Sequence, residues 1–485
     1  MNIRKTNTKM WLILLMTASA WATDAMGPYF GQTPTGTTPE LFAPGILTQP
    51  GGLYAVTRIA FSPDGNECFF SGPINASYKG TRMYHMRCVN NVWTPHDLVS
   101  FFPGYSCRQP YFSADGNTLY FSSNKNGTSD IWKVEWSPEG WGEPQCLPEP
   151  INSSSYDGMY TQTIDGTIYI ESNRPGGRGK IDIWQISPEQ PGQTPQIHNL
   201  SASVNTSGDD NDPVISPDGR YLIFGSNYND LFVTFNQGEN SWTAPVNLNQ
   251  YCPGINTGRQ EYAPHSTHDG QYLFFSRVSA GGIHWIANPI PRPDPNGLVS
   301  NLSTGERFGT IQAAVIYAQA GDTLQLQPGI YRESVVLDKD ITIQSIDPND
   351  PCIIGGTIIQ GDADQPVLTL SNITEACMIV GLTLRAGSIG VLGTNTQAIF
   401  RNCRFMDNVT YGMDLIGASP MLSHCLITAN GECGISMQSI PATPGRGGGN
   451  PEIPSEPLIE NCFIVDNNDV SIGGGQPIIV DSLIQ

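Results

Sequence analysis

The sequence contains few charged residues, and basic residues are especially scarce. Charged side chains make up 14% of the 485 residues, and 24 lysines and arginines stand against 44 acidic residues, for a net charge of −20. A chain this acidic repels the phosphates of nucleic acids and of anionic lipids, so we expect neither as a partner. There are only seven histidines. The sequence predicts no metal site and no other cofactor.

Long apolar runs are also missing. The clearest one, residues 10–16 (MWLILLM), follows three basic residues near the N-terminus and is too short to span a bilayer. A small-residue motif ends at Ala22. This pattern predicts a secretory signal peptide over residues 1–22, with an uncleaved anchor as the alternative. We therefore expect an exported bacterial protein, periplasmic or extracellular, without membrane insertion.

Glycine and proline are abundant instead, with 52 and 38 residues. This composition favours many short strands joined by turns over long helices. A chain of this length predicts two or three domains.

A repeat of about fifty residues occupies the N-terminal half. Each copy holds an Asp-Gly pair between two runs of alternating aromatic and β-branched residues, which predicts a hairpin whose two turn residues both tolerate positive φ. Two further strand-like runs follow in each copy, so the repeat predicts a four-stranded propeller blade. The Asp-Gly pairs begin at Asp64, Asp115, Asp165, Asp218 and Asp269.

The repeat resembles a known family. The motifs FSPDG at 61–65, DIW at 130–132 and WTAPVNL at 242–248 are similar to those of TolB-type, WD-repeat-like β-propellers. The resemblance covers residues 39–290 and implies an all-β, five-bladed β-propeller. Because the fifth copy lacks an outer strand, we expect the N-terminal strand at 39–47 to close the last blade, after an N-terminal tail at 23–38. A sixth, degenerate blade is the alternative.

The propeller prediction gathers polar side chains on one face, where the inner strands begin and where the second and third strands are joined. Arginine, carboxylate and amide groups there would suit a glycan or a peptide, since they offer forked donors and paired acceptors. The alternative is that these groups only pair with one another. The predicted ligand-binding residues are Arg58, Arg108, Gln109, Asp157, Asp210, Asp212, Arg259, Glu261, Arg174 and Arg277.

Three of these carboxylates, Asp157, Asp212 and Glu261, are also candidates for the acid and base of a glycosidase. His265 and His268 stand close to Glu261 in the sequence. A spacing of three residues on a strand places them on opposite faces, so they do not form a ready pair of metal ligands.

A proline-rich linker over residues 291–300 separates the two halves. Residues 310–331 (TIQAAVIYAQAGDTLQLQPGIY) then resemble the capping helix and first coil of the pectin-lyase-like right-handed parallel β-helix family. The resemblance implies a short right-handed parallel β-helix over 301–485, with an N-terminal capping helix at 311–320. The family's lyases need a basic residue and often an aspartate cluster that holds calcium. This half has only Lys339 and six arginines, and no aspartate cluster on successive coils, so we expect the family's architecture without its activities.

The later coils align at intervals of about 21 residues, and a Pro/Gly-rich loop insertion is predicted at 438–457. Position two of the aligned segments is Leu382, Cys403, Cys425, Cys462 and Ser482. We expect its three cysteines to form an inward ladder of free thiols. The preceding residues are expected to stack at a turn as a hydrogen-bonded ladder, and they are Asn402, His424, Asn461 and Asp481.

Two further expectations concern the remaining cysteines and the chain end. Cys68 and Cys88, in neighbouring strands of the first blade, are a possible disulfide pair. Gln485 falls inside the fifth aligned segment, which predicts either an uncovered solenoid end or a continuation beyond this chain.

These features predict a secreted, non-catalytic binding or scaffold protein that recognises an extracellular glycan or a partner protein through the propeller rim. The competing hypothesis is a carbohydrate-active enzyme, a polysaccharide lyase or glycoside hydrolase, acting in the propeller channel or along the β-helix groove. Two carboxylates about 5 to 10 Å apart in an accessible pocket would favour the glycosidase.

Overall fold

The computed structural model divides into two compact units between Ile290 and Pro291. It describes residues 26–33, 36, 38–47, 56–73, 81–190, 192–227, 229–238, 240–277, 282–440, 453–468 and 477–484. The predicted signal peptide at 1–22, the middle of the predicted insertion at 441–452 and Gln485 lie outside these ranges. Within the described ranges, no helix is long and apolar enough to cross a membrane.

The first unit is a five-bladed propeller of antiparallel sheets. Blade 1 contains Arg58–Phe61, Glu67–Pro73, Thr81–Val89, Val92–Trp93 and Asp97–Leu98. Blade 2 contains Cys107–Phe112, Thr118–Ser123, Asp130–Ser137, Gly140–Trp141 and Gln145–Cys146. Blade 3 contains Asp157–Gln162, Ile168–Ser172, Asp182–Ile186 and Ile197–Asn199. Blade 4 contains Asp210–Ile215, Tyr221–Ser226, Asp230–Gly238, Ser241–Trp242 and Val246–Asn247. Blade 5 contains Glu261–Ser266, Tyr272–Arg277, Gly282–Ala287 and Glu40–Leu41.

The N-terminal strand closes the ring, as predicted. Glu40–Leu41 pairs antiparallel with Gly282–Ala287, and the Phe42 amide donates to the Ile283 carbonyl at 2.8 Å. Phe42 is fully buried against aromatic side chains of blades 1 and 5. The third strand of blade 5 therefore has a partner on its outer side. Two short 3-10 helices, Pro28–Gly31 and Leu248–Gln250, complete the unit within the described ranges.

The hairpin turns differ from the prediction in one respect. Only the glycine of each Asp-Gly pair has positive φ, from 67° to 92°, and the aspartate does not. The aspartate acts through its side chain: in blade 1, Asp64 Oδ1 accepts from the Ser62 hydroxyl at 2.6 Å and from the Asn66 amide at 3.1 Å. The Ser62 amide donates to the Glu67 carbonyl and closes a four-residue loop. The turn is longer than a two-residue hairpin because the carboxylate stabilises its interior.

The second unit is a parallel β-solenoid of three sheets. The first sheet contains Arg307–Phe308, Val299–Asn301, Thr323–Leu326, Thr342–Ser345, Met378–Val380, Ile399–Arg401, Met421–Ser423, Leu458–Glu460 and Ile478–Val480. The second contains Gly329–Arg332, Thr357–Gln360, Thr383–Arg385, Arg404–Met406, Leu426–Thr428, Phe463–Val465 and Leu483–Ile484. The third contains Val335–Leu337, Leu368–Ser371, Ile389–Thr394, Tyr411–Ile416 and Cys433–Gln438. Val299–Asn301 pairs antiparallel with both Arg307–Phe308 and Thr323–Leu326, and the other described strand pairs of the three sheets are parallel.

Two short helices accompany the solenoid, Ile311–Tyr317 and Pro351–Gly356. The first is the predicted capping helix, and the Thr310 hydroxyl accepts from the Ala313 amide at 3.1 Å to cap its N-terminus. It ends three residues earlier than expected, because Ala318 adopts an extended conformation (φ −67°, ψ 143°).

The coil register follows the sequence alignment. Cys403, Cys425 and Cys462 stack on successive coils, each about 1% exposed, as free thiols in the interior. Cys68 and Cys88 are also free thiols, and the strand register places Met86 rather than Cys88 opposite Cys68.

The predicted hydrogen-bonded ladder lies elsewhere on the coil. Asn408 Nδ2 donates to Asn430 Oδ1, and Asn430 Nδ2 donates to Asn467 Oδ1, both at 2.9 Å. The residues that we expected to form the ladder have positive φ of 45° to 54° and make the turn between two sheets. They are Asn402, His424, Asn461 and Asp481. Asparagine is suited to both places, because its side chain bonds neighbouring amides and its backbone tolerates left-handed φ.

Candidate functional site

The inner strands place one residue of each blade at the same level of the central channel. Four of the five residues have positive φ, between 42° and 58°, and the inner strands of their blades show a shift in register there. Such a bulge frees a backbone amide from the sheet. The residues are Arg58, Gln109, Met159, Asp212 and Ala263, of which only Arg58 lies in a regular strand.

Each freed amide is bound by a side chain from an earlier blade. The Gln109 amide donates to Ser71 Oγ at 3.1 Å, and the Met159 amide to Gln109 Oε1 at 3.3 Å. The Asp212 amide donates to Glu171 Oε2 at 2.7 Å, and the Ala263 amide to Asp212 Oδ2 at 3.2 Å. The polar groups of the channel therefore connect neighbouring blades, and the buried amides are satisfied.

Charged groups complete this network. Arg58, which is 2% exposed, donates to Asp212 Oδ1 at 3.1 Å and to the Pro264 carbonyl at 2.7 Å, so blade 1 is joined to blades 4 and 5. Gln109 Nε2 donates to Glu171 Oε1 at 2.8 Å. We call Arg58, Gln109, Glu171 and Asp212 the channel cluster. It holds one guanidinium and two carboxyl groups in a buried place.

The Glu171 carboxylate affects the titration of Asp212 in the channel cluster. Burial first, and then the neighbouring Glu171 carboxylate, raise the pKa of Asp212 to about 6, while Arg58 acts in the opposite direction. Asp212 therefore takes up a proton in the weakly acidic range.

This shift predicts an inverted pH dependence of stability. Because the pKa of Asp212 is higher in the folded chain than its ordinary 3.8, the folded state binds the proton more tightly. The contribution of Asp212 to the free energy of unfolding is expected to fall as the pH rises from about 4 to about 6. Urea denaturation at several pH values measures this slope.

The matched variants are Asp212→Asn, which removes the titrating group, and Asp218→Asn, which changes an exposed carboxylate in the turn of the same blade. The first should flatten the slope between pH 4 and pH 6, whereas the second should leave it as in the wild type. A slope unchanged by Asp212→Asn would contradict the proposed protonation.

Sequence reasoning missed Glu171. It occupies the second-strand position that is Ser71, Ser122, Gly225 or Ser276 in the other blades. Tyr156 OH also donates to its Oε1, at 2.5 Å. The available signal was the mismatch itself, a carboxylate where every other copy of the repeat has a small residue.

Most of the predicted rim carboxylates accept hydrogen bonds from side chains of their own blade or of the loop that precedes it. Asp157 accepts from Arg174 Nη2 at 2.6 Å, and Glu261 accepts from Arg277 Nε at 2.9 Å. In both pairs the arginine also donates to two backbone carbonyls of the preceding loop, at 2.7 to 2.8 Å. Asp210 accepts from the Thr206 hydroxyl at 2.8 Å and from the Ser226 hydroxyl at 2.7 Å. These side chains anchor the loops between blades.

The three catalytic candidates consequently occupy different surroundings. Asp157 and Glu261 are fully buried in the arginine pairs of blades 3 and 5, whereas Asp212 belongs to the channel cluster. The structure brings Asp212 close to Glu171 instead, since Gln109 Nε2 lies 2.8 Å from Glu171 Oε1 and 3.5 Å from Asp212 Oδ1.

The rings of His265 and His268 both lie near that of Tyr111 in blade 2, with ring centres 6.5 and 5.7 Å away. Burial, followed by nearby Arg58, lowers the pKa of His265, and burial also lowers the pKa of His268. In the part of the chain that the structure describes, no three His, Cys, Asp or Glu residues are grouped in a way that would hold a metal ion.

The remaining predicted residues lie at the mouth of the channel. Arg108 is half-buried, with its Cζ 5.5 Å from the centre of the Tyr156 ring and Nη2 donating to Ser129 Oγ at 3.4 Å. Arg259 is exposed. The loops joining second and third strands add exposed Lys125, Arg178 and Lys180 on the same face. We call these five cations the mouth cations.

Comparison with known proteins gives structural similarity only. No family model matches the chain, and the comparison with curated proteins found no match. The solved structure of TolB from Acinetobacter baumannii is 14% identical, with 49% of this chain and 52% of that chain covered and a TM-score of 0.34. The structure of putative TolB from Agrobacterium tumefaciens is 17% identical, with 50% of this chain and 79% of that chain covered and a TM-score of 0.33. The structure of the alpha-L-arabinofuranosidase Arb93A from Fusarium graminearum is 13% identical, with 49% of this chain and 78% of that chain covered and a TM-score of 0.35.

The chain thus spans about half the length of the Acinetobacter protein. At this level of identity and overlap, the similarities say nothing about activity.

Proposed function

We propose that this chain is a secreted, non-catalytic binding protein whose propeller captures an extracellular glycan that carries carboxylates. The ligand lies across the mouth of the channel, in contact with the mouth cations. The observation that carries the proposal is a separation of charge on this face: the carboxylates Asp157, Asp212 and Glu261 are buried and paired with arginines, while the mouth cations are exposed or half-buried.

The separation makes the mouth positive on an otherwise acidic protein. Among the described residues of the connecting loops on this face, the acids at the surface are exposed Glu149 and half-exposed Asp209, against five mouth cations. The opposite face carries the exposed aspartate of each Asp-Gly turn. A polyanion is therefore steered to the mouth and away from the turns. Arginine adds paired donors whose geometry matches a carboxylate.

A protein partner with a carboxylate-rich surface is the second form of this proposal, because the mouth cations recognise the same group. The glycan is favoured because arginine and the Tyr156 ring together offer donors for carboxylates and hydroxyls and an apolar surface for a sugar ring.

The competing function, a carbohydrate-active enzyme, would use Glu171 and Asp212. The raised pKa of Asp212 beside a second carboxylate is the arrangement of an acid and base pair. Against it, both residues are buried, and the two oxygens of Glu171 accept hydrogen bonds from Gln109, Tyr156 and the Asp212 amide. These contacts favour a structural role for the pair.

Binding of polygalacturonate to the mature protein, compared with its uncharged methyl ester, tests the proposal. We expect the acid to bind about tenfold more tightly, and we expect added salt to weaken that binding. The double variant Arg108→Ala, Arg259→Ala should lose this preference. Arg87→Ala, which removes an exposed arginine at the opposite end of blade 1, should keep it.

Three results would overturn the proposal: equal binding of acid and ester, no binding of either, or full binding by the double variant. Incubation of the polymer with the protein gives a separate readout. Release of shortened products, abolished by Glu171→Gln, would establish the enzyme instead.

A further inference from the structure

A second cavity, of about 310 Å³, opens at the border of blades 1 and 2, outside the channel. Residues 97–101 of blade 1 and the loop after it form one side. Trp141 and residues 142–144 of blade 2 form the other side, and Phe69 and His85 also line it. Its volume is at the lower end of the range for small-molecule sites, roughly 300–1,000 Å³.

Aromatic rings form the wall of this cavity. Phe69 and His85 stack with ring centres 4.5 Å apart, and Trp141 meets Phe69 edge to face at 5.6 Å. Glu67 fixes two of these rings, because its Oε1 lies 2.6 Å from His85 Nε2 and 3.1 Å from Trp141 Nε1. The wall is therefore held in place before any ligand arrives, which reduces the entropy lost on binding.

The cavity is also negative. Asp97 and Glu143 line it and are exposed, and its described lining residues include neither lysine nor arginine. Among the lining residues, only His85 has a side chain that can become positively charged. Its Nε2 already lies 2.6 Å from the Glu67 carboxylate, which would balance that charge. A cation is attracted to these carboxylates and to the faces of the rings, whereas a carboxylate is repelled.

We propose that this cavity binds a protonated amino sugar. The sugar ring packs against Trp141 and Phe101, and its ammonium group pairs with Asp97 and Glu143. Ser100 also lines the cavity, and its hydroxyl can bond a hydroxyl group of the sugar. The aromatic side chains that line the cavity offer a flat apolar surface to a sugar ring, which favours a sugar over a basic peptide. The cavity and the channel mouth have opposite charge preferences, so the two proposals stand independently.

The test uses the full chain and sugars that differ only in charge. Glucosamine is expected to bind at least roughly tenfold more tightly than glucose or N-acetylglucosamine, as followed by calorimetry and tryptophan fluorescence, since those two lack the ammonium group. Nα-acetyl-lysinamide presents the same group without the ring and is expected to bind more weakly than glucosamine.

The variant Asp97→Asn, Glu143→Gln removes both charges from an exposed rim and is expected to lose that tenfold preference. Glu139→Gln, an exposed acid of blade 2 that does not line the cavity, is the matched control and should bind as the wild type. Equal binding of the charged and uncharged sugars, tighter binding of the lysine derivative, no binding of glucosamine, or an unchanged double variant would each overturn the proposal.

Discussion

Replacement of Arg58 by methionine is expected to lower the free energy of unfolding of the propeller by about 3 to 5 kcal/mol. The guanidinium is 2% exposed and lies across the channel from blade 1 to Asp212 and Pro264. Its removal leaves Asp212 and Glu171 buried together without a compensating charge. Urea denaturation followed by tryptophan fluorescence reports this unit alone, because no tryptophan follows Trp285 in the sequence.

The double variant Arg58→Met, Asp212→Asn should recover part of the loss, since one uncompensated carboxylate is gone. Arg108→Met provides the matched control: this arginine is half-buried and its contacts are weaker, so about 1 kcal/mol or less is expected. If Arg58→Met were no more destabilising than Arg108→Met, the channel cluster would not join the blades as described.

Phe42→Ala is expected to destabilise the propeller by about 3 to 5 kcal/mol, as large-to-small changes of a buried phenylalanine do. The ring centre of Phe42 lies 4.8 Å from that of Trp285 and 5.0 Å from that of Phe274 in blade 5. It also lies 5.8 Å from that of Phe61 in blade 1. The side chain thus packs between the first and last blades, where the ring closes. The same denaturation measurement detects the loss.

Ile164→Ala is the control, because Ile164 is 77% exposed in the turn of blade 3 and its truncation should change stability by less than about 0.5 kcal/mol. We also expect Phe42→Ala to associate more readily, since a loosened N-terminal strand uncovers the edge of Gly282–Ala287. A stability equal to that of Ile164→Ala would mean that the N-terminal segment is not part of the closed ring.

The repeats explain why the fold was predictable in such detail. A fifty-residue period with recurring Asp-Gly turns places every blade strand, and a period of about 21 residues sets the coil register from Leu382 to Ser482. The orphan segment at 39–47 revealed the closure of blade 5 because one strand was missing from the last copy. Local conformation was less predictable, as the turn aspartates and the asparagine ladder show, since one residue type suits several places in a coil.

The candidate site was harder to predict, for a reason that the arginines illustrate. Arg58 and Arg108 lie at the start of inner strands and Arg174 follows a second strand, and the sequence placed all three together on one rim. In the fold, Arg58 is buried in the channel cluster, Arg174 anchors a loop through Asp157, and only Arg108 stays near the surface. The difference depends on which neighbour each side chain reaches in another blade or loop.

The sequence by itself determined the two repeating architectures, the register of the solenoid coils and the inward ladder of cysteines, because periodicity and turn residues act locally along the chain. Only the tertiary structure decided which charges are available. Folding pairs Asp157, Asp212 and Glu261 with arginines and leaves the mouth cations exposed or half-buried. Burial beside Glu171 raises the pKa of Asp212. The Arg58–Asp212 pair joins blades that are far apart in the sequence, whereas the pairs of Asp157 and Glu261 form within one blade. In each case the electrostatic outcome depends on distance and burial in the folded molecule.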